Sequence, residues 1–297
     1  MILVIGEILF DVFPNYRRLG GAPFNFAYHL KNFGFDVRFI SKIGRDGPGK
    51  EILHKLGVFR FDLQDIQLDD AYPTGSVVVH LDKNGSPRFD ILADVAYDHI
   101  EFMPEHHMEL INEAQLVYFG SLIQRNPAGH ENLQKFISVE ASETLKFYDI
   151  NLRPGCYNRD IITKSLAKTD ILKLSVEELT ELKRMLSVNE DQEAFVQFLM
   201  EEYALNTVSL TKGSAGSELF TGRGSFVAST AEAVKVIDSV GAGDAYAAMM
   251  AAGILKKWQP PEILRQAARF ASRVCEIKGA IPESASFYEP FRPLFKQ

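Results

Sequence analysis

The stretch Asp238-Ser-Val-Gly-Ala-Gly-Asp-Ala-Tyr-Ala-Ala-Met-Met-Ala-Ala-Gly253 joins a glycine-rich turn to an alanine-rich segment of helical composition. Small residues in such a turn leave backbone N–H groups unobstructed, and the start of a helix adds the positive end of its dipole. The stretch therefore predicts a helix N-terminus that forms an anion hole for a transferring phosphoryl group. Asp244, in the first turn, is placed to accept a proton from an attacking hydroxyl as general base.

The same residues have a purely structural interpretation. A carboxylate is favourable at any helix N-terminus, so Asp244 needs no catalytic role there. Glycines are common in tight turns of every kind. This stretch by itself leaves both interpretations open.

Upstream of this stretch, short apolar segments alternate with segments of helical periodicity. Apolar segments of this length predict buried strands, and the alternation is typical of a parallel sheet with helices on its faces. Ligands of such sheets bind at the carboxyl ends of the strands. The predicted strands are Ile2–Ile5 and residues 37–43, 116–119, 147–150, 171–174 and 208–210, and the predicted helices are residues 24–33, 49–56, 131–139, 176–186 and 191–203.

Residues 75–92 interrupt the alternation with two β-type segments around Asn84-Gly85, a dipeptide that favours a hairpin turn. Inserted hairpins often have no functional role. Together with residues 9–19, however, this one would form a lid that excludes water from a reaction. We expect one domain over residues 1–297 with lid segments at 9–19 and 72–98. Pairing of two hairpins through Val77, Val79 and Leu81 predicts a homodimer.

The composition argues against several classes of protein. A net charge of -7 and a pI near 5.6 offer no basic field for nucleic acid or anionic lipid. The two cysteines, Cys156 and Cys275, are far apart, which favours a reducing compartment over a disulfide framework. The first apolar segment is interrupted by Gly6 and Glu7 and is too short for a signal peptide or a membrane span, so we expect a cytoplasmic protein.

A second candidate binding segment is Leu19-Gly-Gly-Ala-Pro-Phe-Asn-Phe-Ala27. The paired glycines Gly20 and Gly21 let a ligand approach the backbone, and the Asn25 side chain offers both a donor and an acceptor to neighbouring hydroxyls. The segment suits a polyol, although it equally describes a turn followed by a helix.

In chain order, these motifs and their companions resemble the motifs of the ribokinase-like (PfkB) family of carbohydrate kinases. An ordered set is more specific than any of its members. The resemblance implies a three-layer α/β/α sandwich with a central, mostly parallel sheet and a small β-sheet lid, and transfer of the γ-phosphoryl group of Mg-ATP to a sugar hydroxyl. The set is Gly6-Glu7 with Asp11, Gly20-Gly21 with Asn25, Asp149-x-Asn151-x-Arg153, Ser175-x-x-Glu178, Thr211-x-Gly213-x-x-Gly216 and the DxxGAGD motif ending at Asp244.

The resemblance also implies a role for each matched residue. Asp244 would be the catalytic base, and the backbone of Gly241, Ala242 and Gly243 would form the anion hole. The implied sugar-binding residues are Asp11, Gly20, Gly21 and Asn25. The implied nucleotide-binding residues are Thr211, Gly213, Gly216, Cys275 and Gly279.

The candidate metal residue lies in the motif Ser175-x-x-Glu178. Ser175-x-x-Glu178 before an apolar-periodic segment predicts a capping box. The family usually has Asn-x-x-Glu here, whose glutamate organises Mg²⁺ through water, so the resemblance assigns Glu178 to the metal and leaves Ser175 outside it. Glu283 stands where some members place a serine near a monovalent cation, which leaves K⁺ dependence open.

The substrate has two candidates. Gly-Gly-Ala-Pro and the segment from Asp149 to Arg153 resemble fructokinases most, which makes fructose the expected acceptor and Arg153 a substrate-binding residue. In 2-keto-3-deoxygluconate kinases an arginine pairs with the substrate carboxylate in bidentate fashion, and Arg153 or Arg88 fits that role.

Two other classes of protein are alternatives to a sugar kinase. A sugar- or nucleotide-binding regulator would keep the fold without the activity. A Rossmann oxidoreductase is disfavoured because no GxGxxG follows the first strand.

Two further patterns receive a structural interpretation. Gly44-Arg-Asp-Gly-Pro-Gly-Lys50 begins like a P-loop but continues with Glu51 instead of Ser or Thr. Both His106-His107 and Tyr97-Asp98 are expected at the surface.

Overall fold

The buried apolar segments pair as one nine-stranded sheet. The structure is a computed structural model that describes residues 1–81, 87–141, 143–228 and 235–295, but not the side chains of residues 79–81, 87–89 and 228. In spatial order the strands are β13 (Gly224–Ala228), β12 (Ser217–Thr221), β11 (Thr207–Thr211), β10 (Ile171–Ser175), β9 (Leu145–Asp149), β8 (Leu116–Gly120), β1 (Ile2–Ile5), β4 (Val37–Gly44) and β5 (Ile66–Asp69). In this order the strands from β11 to β5 are parallel, and β12 and β13 extend one edge in antiparallel fashion.

Helices cover both faces of this sheet, which is why its central strands are apolar on both sides. One face packs against α1 (Ala22–Phe33), α2 (Gly47–Val58), α8 (Ala242–Leu255) and α9 (Pro260–Val274). The other packs against α3 (Pro104–Glu113), α4 (Pro127–Ile137), α5 (Arg159–Leu166), α6 (Val176–Leu186) and α7 (Gln192–Glu202). The three-layer α/β/α architecture predicted from the sequence is confirmed.

A second, four-stranded sheet combines the two segments that interrupt the alternation. Its order is β3 (Arg17–Gly20), β2 (Leu9–Val12), β6 (Ser76–Leu81) and β7 (Pro87–Ile91). β2 runs parallel to β6, and its other neighbour β3 is antiparallel to it, with Asp11 opposite Arg18. The predicted turn at Asn84-Gly85 lies outside the described residues.

The alternation of side chains along β6 corrects the expectation that Val77 takes part in pairing two copies of the protein. Val77 is only 6% exposed and packs with Ile5 and Leu9 of the main core, so it does not face a partner molecule. Val78 points to the opposite face and is 40% exposed, because successive strand residues alternate between faces.

Three residues expected at the surface are buried. Tyr97 belongs to the main core, and Asp98 accepts two hydrogen bonds from the Arg125 guanidinium at 2.6 and 2.8 Å. The His107 ring accepts a hydrogen bond from the Met103 N–H at the start of α3, at 2.9 Å, and burial lowers its pKa to about 4. The surface prediction was wrong for Asp98 and His107 because a polar side chain with a hydrogen-bond partner can be buried at little cost. For Tyr97 it was wrong because the apolar ring packs in the core.

The P-loop-like segment is a helix cap. Asp46 Oδ1 accepts hydrogen bonds from the Gly49 N–H at 2.7 Å and from the Thr74 hydroxyl at 2.6 Å, so its turn is filled by the protein's own groups. Among the described helices, none combines the length and the apolar character that crossing a bilayer requires.

Candidate active site

The glycine-rich turn and α8 form as predicted, with Gly241 at the N-cap position and Ala242 as the first helical residue. Gly241 has a φ of +79°, and a Cβ atom there would lie 2.2 Å from the Cβ of Ala280, so only glycine fits. The Ala242 N–H donates to the Ser239 carbonyl at 3.3 Å. Within the described chain, the N–H groups of Gly241 and Gly243 have no acceptor and remain available to an anion.

The segment after α9 holds this turn in place. The Cys275 carbonyl accepts hydrogen bonds from the N–H groups of Ile237 and Asp238, at 2.8 and 3.2 Å. The Asp238 carboxylate accepts one from the Gly279 N–H at 2.9 Å. Cys275 and Gly279, predicted to flank a nucleotide, therefore lie beside the glycine-rich turn.

Asp244 and Asn25 are in direct contact. The Asn25 Nδ2 group donates a hydrogen bond to Asp244 Oδ2 at 2.8 Å, and the Asn25 side chain comes from the first turn of α1. Burial raises the pKa of Asp244, against the opposing effects of Asn25, Lys173 and Arg153. The carboxylate is therefore oriented by an amide and is a stronger base than a solvated aspartate.

A buried ion pair lies beneath the start of α8. Lys173 Nζ, from β10, is 2.9 and 3.1 Å from the two carboxylate oxygens of Asp149 at the end of β9. The Tyr118 hydroxyl also donates to Asp149, at 3.2 Å. A Cβ atom on Gly243 would lie 3.7 Å from Lys173 Nζ, so the ammonium is next to the predicted anion hole.

Lys173 is a functional candidate that the sequence reasoning missed. Burial works to lower its pKa, but the carboxylates of Asp149, Glu178 and Asp244 outweigh burial and raise the pKa overall. The ammonium is therefore charged at neutral pH. A signal was present, because a lysine inside the apolar strand Ile171–Ser175 is expensive to bury without a partner.

Two more carboxyl groups face the same region. Asp11 lies on β2, where a Cβ atom on Gly20 would come within 2.5 Å of its Oδ2 atom, so Gly20 makes room for the carboxylate. Burial raises the pKa of Asp11 to about 6 and that of Glu7 to about 7. Glu7 is 4% exposed, and it was noted in the sequence only as part of a motif. Its position directly after a buried strand was the available signal.

Glu178 forms the predicted capping box with Ser175. Its Oε2 atom accepts from the Ser175 N–H at 2.7 Å, while the Ser175 hydroxyl accepts from the Glu178 N–H at 3.2 Å. Its Oε1 atom accepts from the Leu152 N–H at 2.8 Å. Glu178 thus anchors the loop that carries Arg153 as well as capping α6.

Arg153 is exposed, and its guanidinium forms no ion pair with any residue that the structure describes. Its charge nevertheless lowers the pKa values of Glu7, Asp11 and Asp244 against the effect of burial. The guanidinium is therefore near enough to act on these three carboxyl groups through its charge, and it has no hydrogen-bond partner among the described residues. The side chain of Arg88 is outside the described part of the chain.

The remaining predicted nucleotide-binding residues lie at the end of β11 and in the turn after it. Thr211 is its last residue and lies opposite Ser175 of β10. Gly213 and Gly216 bound the next turn, with φ values of +54° and +98°. These residues lie at the carboxyl ends of the strands, the end that also carries Asp149 and Ser175.

In the described ranges, no group of three or more His, Cys, Asp or Glu side chains is arranged to hold a metal ion. Mg²⁺ in kinases is held by one or two carboxylates together with substrate phosphates and water, not by a full protein cage. Glu178, whose two oxygens already accept backbone hydrogen bonds, has lone pairs left for a metal-bound water. The residues present therefore fit a magnesium ion carried by a nucleotide.

The covered parallel sheet brings a helix N-terminus and several carboxyl groups together at its carboxyl edge, an arrangement that suits phosphoryl transfer. Residues 4–286 match the model of the pfkB family carbohydrate kinases. The chain belongs to this family and is a sugar kinase by class.

Individual relatives agree with this assignment. An uncharacterized sugar kinase of Pyrococcus horikoshii is 31% identical over 274 residues, 86% of this chain and 83% of the relative. Its crystal structure in complex with ATP matches with a TM-score of 0.81 at 26% identity, over 94% of each chain. A fructokinase of Klebsiella pneumoniae is 27% identical over 295 residues, 96% of this chain and 93% of the relative.

Proposed function

We propose that this sugar kinase transfers the γ-phosphoryl group of ATP to a hydroxyl of fructose, with Asp244 as the base. The observation that carries the proposal is the Asp244 carboxylate in the first turn of α8, beside the free N–H groups of Gly241 and Gly243. A base and an anion hole at one helix N-terminus are what in-line phosphoryl transfer to an alcohol requires.

Asp244 accepts the proton of the attacking hydroxyl. Its raised pKa makes it a better acceptor, and the bond from Asn25 aims one carboxylate oxygen so that the other is left for the substrate. Asn25 in this scheme orients the base, which adds to the sugar-binding role that the family resemblance implies. Asp11 and the backbone of Gly20 and Gly21 hold the remaining hydroxyls.

The developing charge on the phosphoryl group meets the free N–H groups of Gly241 and Gly243 and the ammonium of Lys173, whereas the Ala242 N–H already donates to the Ser239 carbonyl. A bound Mg²⁺ ion would supply charge neutralisation on the nucleotide phosphates. Glu178 would hold that ion through a water. The nucleotide lies along Thr211, Gly213, Gly216, Cys275 and Gly279, and ATP is supported by the complex of the Pyrococcus horikoshii relative.

Fructose is favoured by the fructokinase relative and by the Gly-Gly-Ala-Pro segment. The free guanidinium of Arg153 supports the second candidate, 2-keto-3-deoxygluconate, because it can pair with a carboxylate in bidentate fashion. A screen of ADP release over fructose, ribose and 2-keto-3-deoxygluconate, with and without K⁺, separates the two. Substitution Arg153→Gln is expected to impair a carboxylated substrate far more than fructose.

The substitution Asp244→Asn tests the catalytic assignment. It keeps the shape of the side chain and removes the base, so ADP release that depends on both ATP and sugar should fall by a factor of at least about 10³, the upper part of the range for general-base catalysis. ATP binding, measured by calorimetry, should stay within about threefold, because the nucleotide contacts lie elsewhere.

Turnover by Asp244→Asn close to that of the wild-type protein would refute the role of Asp244. A wild-type protein that binds sugar and ATP without releasing ADP would instead support the alternative of a non-catalytic regulator. The two outcomes are distinguishable in one assay.

We further propose that the whole chain acts as one domain in which the four-stranded sheet is a lid over the sugar. An ion pair links this sheet to the glycine-rich turn, with Arg18 Nη1 3.6 Å from Asp238 Oδ2. Closure of the sheet would therefore act on the turn that holds the phosphoryl group. Two copies of the protein pair through their four-stranded sheets to form a homodimer. The protein acts in the cytoplasm.

A further inference from the structure

Two buried polar atoms near the base have no hydrogen-bond partner among the described residues. They are Glu7 Oε2 and Asn25 Oδ1. The Asn25 amide cannot be reversed to remedy this, because its Nδ2 group already donates to the Asp244 carboxylate. Buried acceptors without donors are rare in folded proteins, so the pair needs a physical explanation.

Both atoms belong to the same small region at the start of α1. The backbone of Ala22, in the first turn of this helix, is close enough to the Glu7 carboxyl group to lower its pKa, and a Cβ atom on the neighbouring Gly6 would lie 2.2 Å from the Pro23 side chain. The Asn25 N–H donates to the Gly21 carbonyl at 2.9 Å, and a Cβ atom on Gly21 would lie 2.5 Å from the Glu7 carbonyl oxygen. The loop that carries Glu7 is thus packed against the turn that carries Asn25.

We propose that Glu7 works in its protonated form and donates a hydrogen bond from Oε2 to Asn25 Oδ1, so that Glu7 is a positioning residue for the base Asp244. A single proton satisfies both unpartnered atoms. The amide then has its acceptor bonded to Glu7 and its donor bonded to Asp244, which fixes the carboxylate of the base. This inference rests on the proposed function of Asp244.

The surroundings of Glu7 are consistent with a neutral carboxyl group. Burial is the largest influence and raises its pKa to about 7, aided by the charge of Asp244 and opposed by that of Arg153. The other titratable groups that it influences are the hydroxyls of Tyr97 and Tyr118. A substrate cannot reach Oε2 directly, because this atom is closed to water in the structure.

The substitution Glu7→Gln tests the proposal, because a glutamine amide donates to Asn25 in the same way and does not titrate. Its kcat at pH 7 should stay within about threefold of the wild type, whereas Glu7→Ala should lose about tenfold or more. Between pH 7 and pH 9 the wild-type kcat should fall by about tenfold as Glu7 ionises, and that of Glu7→Gln should not fall.

Unfolding by urea at pH 6 and pH 9 gives a readout that does not depend on catalysis. A carboxyl group with a higher pKa in the folded state binds more protons when folded, so its contribution to stability is lost as the pH rises through about 7. The wild type should therefore become less stable than Glu7→Gln at pH 9. Glu109→Gln, at an exposed position on α3, is the control and should behave like the wild type.

Three results would overturn the proposal: Glu7→Gln as inactive as Glu7→Ala at pH 7, equal pH dependence of stability in the wild type and Glu7→Gln, or failure of Glu7→Gln to fold at pH 7. The first and third results would show that the charged carboxylate is needed, and the second would show that the pKa of Glu7 is not raised by folding. If Asp244→Asn retained turnover while the stability difference was observed, the role of Asp244 would fail and the protonation of Glu7 would stand.

Discussion

At the scale of single residues, the Lys173–Asp149 pair explains how a charged lysine is tolerated in a central strand. Both side chains are at most 8% exposed, and each charge is the main partner of the other. A buried pair of this kind is costly to break, because the remaining charge is left without compensation. It also places a positive charge below α8, where anion binding is expected.

The substitution Lys173→Met should therefore lower the free energy of unfolding by about 3–5 kcal/mol, measured by urea titration, because Asp149 loses its counter-charge in the core. The double variant Lys173→Met with Asp149→Asn removes both charges and is the matched control, with a smaller expected loss. Equal destabilisation of the two variants would contradict the coupling. Both should lose kinase activity if the ammonium stabilises the phosphoryl group.

At the scale of secondary structure, α6 was predicted over residues 176–186 and occupies Val176–Leu186. The boundary could be predicted because the capping box is local, with its two partners three residues apart. The contact of Glu178 with Leu152, 26 residues away, could not be predicted in that way. The helix start thus also positions the loop of Arg153.

Two substitutions distinguish the local contacts of the capping box from the tertiary contact between Glu178 and Leu152. Ser175→Ala should cost about 1 kcal/mol of stability by urea titration and leave kcat within about twofold, because only the helix cap is lost. Glu178→Ala removes the contact with Leu152 as well, so it should lower kcat and raise the KM of the sugar. A large loss of kcat in Ser175→Ala would show that Ser175 has a direct role.

At the scale of the whole molecule, the outer face of the four-stranded sheet is the surface through which we expect two copies to pair. Val78 and Leu92 are 40% and 46% exposed there. Light scattering should give the mass of a dimer, and Val78→Lys should shift it toward a monomer, because a buried charge without a partner is unfavourable. Val58→Lys, at a position 65% exposed on α2, should leave the dimer intact. A monomeric wild type at assay concentration would contradict the proposed dimer.

The sequence by itself determined the layers of this protein, because strand and helix periodicity, caps and turns are local properties. It also located Asp244 and the glycine-rich turn, since a short motif contains both. Only the tertiary structure decided which side chains meet: Asn25 and Asp244 are 219 residues apart, and Lys173 and Asp149 lie on neighbouring strands. An amide or a lysine can bond many partners, so its choice depends on packing between elements, which no local pattern contains.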